Sequence, residues 1–162
     1  MITFILPGYS IKNKEWLEKT AENVKLEGQI RPVYWDHWDD SSQKFNAEEK
    51  ADLIVRHTKG DQLNIVAKSI GTLVAALIIE KVPDQINRVI LCGIPVNDLK
   101  SEEMETIKKA IHSLGDKIMV LQNDADPHGT FDQVKDFGNV TSKPADNHEY
   151  LYSEDFQNFL II

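Results

Sequence analysis

The chain has 162 residues, 41% hydrophobic and 27% charged, the profile of one soluble globular domain and not of a disordered or fibrous protein. Its formal net charge of −8 comes from 18 Lys and Arg against 26 Asp and Glu, with no basic cluster, which argues against binding a phosphate backbone. The one cysteine, Cys92, excludes an internal disulfide and suggests a reducing compartment, and a chain this long buries roughly 68–70% of its unfolded surface without needing one.

Met1-Ile2-Thr3-Phe4-Ile5-Leu6 is apolar but lacks a basic start and a small-residue cleavage site, and it stops at Pro7-Gly8. It reads as a first strand and not as a signal peptide. Trp16, Leu17, Thr20, Ala21 and Val24 follow at helical spacing among Lys and Glu. Residues 30–35 are then expected to be extended, with Pro32 suiting an edge strand or a strand start. Asn46 with Glu49 resembles a capping pair, Ala47, Ala51, Ile54, Val55 and Thr58 make an apolar stripe, and Gly60 stands where a helix would end.

Residues 63–67 read as a buried strand and residues 70–81 as a mostly apolar helix, one packed inside a layered fold. The longest apolar run, Leu73 to Ile79, is far short of the roughly 20 residues that span a bilayer, so no membrane span and a cytoplasmic location are expected. Residues 89–92 form the next strand. Met104, Ile107, Ile111 and Leu114 mark a helix ended by Gly115, and residues 118–121 return to a strand. Thr130 with Gln133 opens a short helix closed by Gly138, and Ser153 opens a last one that buries Phe156, Phe159 and Leu160. Strands and helices alternate without repeat or linker, which predicts a single domain over residues 1–162. Its fold is an α/β three-layer sandwich with a mostly parallel sheet of about five or six strands. Ligands of such sheets bind beyond the carboxyl ends of the strands.

At one such end, Ala67-Lys68-Ser69-Ile70-Gly71 carries a buried strand into a helix with almost no connecting residues. A turn that tight projects Ser69 outward and aims a positive helix terminus at whatever its hydroxyl attacks. The alternative reading is an N-cap serine. A nucleophilic serine needs a histidine base and an orienting carboxylate, and both lie downstream. Asn123-Asp124-Ala125-Asp126-Pro127-His128-Gly129 follows a strand and offers two acids. Asp126 is chosen because Pro127 favours an extended residue before it, with Asp124 the alternative. His148, in a polar loop before the last helix, is the chosen base. His57 and His112 fall in helices facing solvent. His128 stands too near Asp126 in sequence to be its base, although it is placed to line the site. His37, within Trp35-Asp36-His37-Trp38-Asp39-Asp40, is read as part of a loop at a pocket mouth and not as a metal ligand, since consecutive loop residues seldom converge on an ion.

The order Ser69, Asp126, His148 resembles the α/β-hydrolase superfamily, and the match covers nearly the whole chain. Ala67 departs from the family's usual glycine. The resemblance implies that Leu6-Pro7-Gly8-Tyr9 is the oxyanion loop, with the Tyr9 and Ile70 amides holding the developing charge. In so short a chain it also implies absent leading strands and a minimal, lidless domain, because only residues 93–100 separate a strand from the next helix where larger members insert a cap. Cys92, the nucleophile in some relatives, here lacks an elbow and reads as a small core residue.

The expected function is a serine hydrolase, esterase-like, cleaving a small-molecule carboxylic ester or thioester through a Ser-His-Asp triad and an acyl-enzyme, with no cofactor or metal. Gly8, Trp35, His37, Trp38, Lys68 and Ile94 are expected around the substrate, and the chain is expected to be a monomer or small homo-oligomer. The alternative from another class is a catalytically silent binding or regulatory protein of the same fold. A dinucleotide-binding domain is disfavoured by the single glycine in Leu6-Pro7-Gly8-Tyr9-Ser10.

Overall fold

The inner strands are mostly apolar and buried at nearly every position because both of their faces are covered. In the computed structural model, which describes residues 1–161, β1 (Ile2–Leu6), β2 (Gln29–Pro32), β3 (Leu63–Lys68), β4 (Ile86–Cys92), β5 (Ile118–Asn123) and β6 (Val140–Lys143) form one sheet of order β2-β1-β3-β4-β5-β6. Every neighbouring pair is parallel.

Period-two alternation along the strands separates two cores. Phe4, Leu6, Ile65, Ala67, Leu91 and Val120 face one side, with α2 (Ala47–Arg56), α3 (Gly71–Lys81) and α4 (Ser101–Leu114) packed over them. Ile5, Val66, Ile90, Cys92 and Leu121 face the other, under α1 (Lys14–Asn23) and α6 (Ser153–Leu160). The result is a three-layer α/β/α sandwich. The first of these cores is closed by α3, whose eight buried residues explain its weak amphipathicity.

Three elements differ from the sequence reading. The second strand ends at Pro32 and does not run on to Trp35. Residues beyond it turn inward, and Trp35 joins the core at 1% exposure, donating its Nε1 hydrogen to the Pro7 and Gly8 carbonyls at 3.3 and 3.1 Å. The sheet gains β6, a half-exposed edge strand whose one strongly apolar residue is Val140; its pairing with β5, not its own pattern, makes it a strand. The helix expected from Thr130 to Gly138 is one short turn, α5 (Phe131–Val134), followed by a 3₁₀ turn to Phe137. Residues 93–100 between β4 and α4 contain no helix or strand, so no cap is inserted there. Among the described residues no helix is long and apolar enough to cross a membrane.

Candidate active site

Ser69 occupies the left-handed region, with φ of 56°, between the last residue of β3 and the first of α3. A residue bearing a Cβ pays on the order of 1–3 kcal/mol for that conformation and holds it only where its surroundings dictate it. Here the Ser69 amide donates to Cys92 O at 3.0 Å, while Thr72 donates to Ser69 O through its amide at 2.9 Å and its hydroxyl at 2.7 Å. With the backbone fixed on both sides, the hydroxyl is the part left free to project into the cleft. Gly71 lets the start of α3 touch the end of β1, since a Cβ there would lie 2.5 Å from Leu6 O and 2.9 Å from Pro7 O.

Asp126, 1% exposed, receives three hydrogen bonds. His148 Nδ1 and Tyr150 Oη each approach its Oδ2 at 2.6 Å, and the His128 amide donates to its Oδ1 at 2.8 Å. Burial alone would raise its carboxyl, but these donors outweigh it and hold the group below the usual carboxylate range. A carboxylate only accepts, so the shared proton sits on His148 Nδ1, and in the neutral form of the ring Nε2 is the bare nitrogen. That nitrogen is shielded from solvent and has no hydrogen-bond partner among the described residues, Ser69 Oγ included. Such pairs often stand apart in free enzymes and tighten when substrate engages. Asp124 turns away to bond the Ser142 hydroxyl, so Asp126 is the acid that meets His148.

Ser69, Ile70, Tyr9, His128 and His148 all line one cleft of about 770 Å³ at the carboxyl ends of the strands. Phe45, Asn13, Pro95 and Asp98 are among the other residues of its walls. Among the described residues, neither the Tyr9 nor the Ile70 amide donates a hydrogen bond to the protein. The other residues expected around the substrate stand behind this wall. His37 and Trp38 donate or share hydrogen at 2.7 Å with Tyr9 O, and the His37 ring stacks on Tyr9 at 4.4 Å, so they brace the loop that carries Tyr9. Trp35 and Gly8 are joined in the core as described, Ile94 is fully buried with its amide on Gln122 Oε1, and Lys68 points to the opposite side of the elbow. These six are supports of the cleft and not its lining, because the strand-end loops fold back on their own core before they reach the mouth.

No protein-family model and no curated protein matches the chain. Solved structures do. Est1E of Butyrivibrio proteoclasticus, with ferulic acid bound, superposes with a TM-score of 0.71 at 14% identity, covering 99% of this chain and 88% of its own. An extracellular α/β-hydrolase from a Paenibacillus species gives 0.61 at 13%, covering 99% and 98%. A thioesterase of the prodiginine biosynthetic pathway in Streptomyces coelicolor gives 0.54 at 13%, covering 88% and 75%. The chain has the α/β-hydrolase fold.

Lys68 adjoins the elbow as the last residue of β3. It is 5% exposed, its Nζ lies 2.9 Å from Asn13 Oδ1 and 5.6 Å from the Trp16 ring centroid, and burial pushes its ammonium down to about 8. Three contributors to the geometry of this cleft escaped the sequence reading. Tyr150, Asp98 and Phe45 stand in no motif, and only the fold brings them to Asp126, His128 and Tyr9. His57 and His112 are both exposed, His112 within α4 as expected, whereas α2 stops at Arg56 and leaves His57 as its cap.

Proposed function

We propose that the protein is a serine hydrolase that cleaves a carboxylic ester or thioester through an acyl-enzyme. The observation that carries this reading is the left-handed Ser69 at a strand-to-helix elbow, opening into the same cleft as a histidine whose Nδ1 is fixed by a buried carboxylate. In the proposed sequence His148 Nε2 takes the Ser69 proton as Oγ attacks the carbonyl carbon. The unpartnered Tyr9 and Ile70 amides hold the oxyanion, a role in which one donor typically contributes on the order of 10²–10³ in turnover. Collapse breaks the bond to the leaving oxygen or sulfur, which receives the proton from His148. Water then gives its proton to the same nitrogen, attacks the acyl carbon and releases the acid as Ser69 regains its hydrogen. Asp126 keeps the ring oriented and stabilises its cationic form. The esterase-type and thioesterase neighbours support the class of reaction, and the wall of Tyr9, Phe45 and Ile70 supports an apolar acyl group.

Exposure of the purified protein to a fluorophosphonate, followed by intact mass and peptide mapping, tests the proposal. One adduct is expected on Ser69, absent in Ser69→Ala and slowed by about 10³-fold or more in His148→Ala. A folded protein that takes up no probe would instead favour the silent binding protein.

A further inference from the structure

The proposed triad uses one imidazole, and the cleft holds two. His128 lies beside His148 with ring centroids 4.4 Å apart and planes at 45°. Its Nδ1 is 2.7 Å from Asp98 Oδ2, the arrangement by which Asp126 holds His148. Since a carboxylate only accepts, Nδ1 of His128 also carries a proton, and the neutral form of the ring presents a second bare Nε2. Among the described residues no protein group bonds that nitrogen.

The sheet order fixes what this second acceptor faces. Loops after β1 and β2 lie on one side of β3 and those after β4 and β5 on the other, so Tyr9 and Phe45 flank Ser69 on one side and Asp98 and His128 on the other. A departing alcohol takes its proton from His148 Nε2, so it leaves on the side of His148 and beside His128. The acyl group is then left to the aromatic side. An all-carbon alcohol would cover the Asp98–His128 pair and leave Nε2 without a donor, at the cost of an unmet polar group.

We propose that His128, oriented by Asp98, is a binding residue for the alcohol portion of the substrate, and that the substrates are esters of polyols in which a hydroxyl next to the ester oxygen donates to His128 Nε2. This rests on the triad reading above and adds the substrate class to it.

Two esters of one acyl group separate the ideas: propyl butyrate and 2,3-dihydroxypropyl butyrate, with kcat/KM measured by base uptake. The wild-type protein is expected to prefer the dihydroxypropyl ester by about tenfold or more. His128→Ala should bring that ratio close to one, His128→Gln, which keeps an acceptor, should retain part of it, and Asp98→Asn should lower it. Fluorophosphonate labelling of wild-type Ser69 in the same preparation reads the triad separately. Labelling with a ratio near one, or a ratio that Asp98→Asn and His128→Ala leave intact, overturns the polyol subsite alone. No labelling overturns the triad reading itself. Should His128→Ala fail to fold by circular dichroism, the Asp98→Asn ratio decides.

Discussion

Tyr150 shows how much of the site hangs on one unannounced side chain. Its hydroxyl donates to Asp126 Oδ2 at 2.6 Å and accepts from the Asn123 amide at 3.0 Å, while its carbonyl accepts from Trp16 Nε1 at 3.0 Å. Tyr150→Phe strands the Asn123 amide and removes a donor from Asp126. It is expected to cost about 1–3 kcal/mol of stability at neutral pH, measured by denaturant unfolding. Asp126, held low in the folded state, contributes stability above the unfolded value of 3.8 that is lost as pH falls through its folded value, so part of the Tyr150→Phe cost should fade in acid. Lys68 shifts in the same direction for the opposite reason, because here burial disfavours the charged form. Burial holds it at about 8 against 10.5, so between those values the unfolded chain binds the proton more tightly and wild-type stability rises with pH. The stability difference between Lys68→Met and wild type should therefore shift in favour of wild type by roughly 2–3 kcal/mol between pH 7 and pH 10.5. A flat difference across that range would show the ammonium to be solvated in the folded protein.

At the scale of elements, the β3–α3 elbow was legible because its chemistry is local: a buried strand, a serine between small residues, and an apolar helix follow one another without a loop. The contact that sets its geometry is not local. Gly71 meets the end of β1, over 60 residues away, as the registry of Leu6 with Ala67 requires. Gly71→Ala should lower stability by about 1–3 kcal/mol and slow acylation of Ser69, read by unfolding and by the rate of fluorophosphonate labelling, because Leu6 O and Pro7 O are backbone and cannot step aside. Asp126 and His148 were legible as strand-end and loop residues with the right functional groups, whereas the choice between Asp126 and Asp124 needed the fold. The edge strand β6 was not legible at all, since Val140-Thr141-Ser142-Lys143 has too little apolar pattern and is a strand only because β5 offers it a partner.

Across the whole molecule, both helical layers pack on one sheet and no element stands apart. Trp16 belongs to the core under α1 and α6, and Trp35 to the core under α2, α3 and α4. Variants that keep only Trp16 or only Trp35 should show coincident fluorescence transitions in urea, as one cooperative unit requires. Separate midpoints would mean that the two faces unfold independently and that residues 1–161 are not a single folding domain. The sequence by itself determined the layers, because alternation within strands and apolar stripes on helices follow from backbone periods of 2 and 3.6. It also determined which residue types stand at the strand ends. The tertiary structure alone decided which of those residues meet. Contacts such as Tyr150 with Asp126, Asp98 with His128, and Trp35 with the loop after β1 join chain positions brought together by strand order, and no period along the chain encodes a neighbour across the sheet.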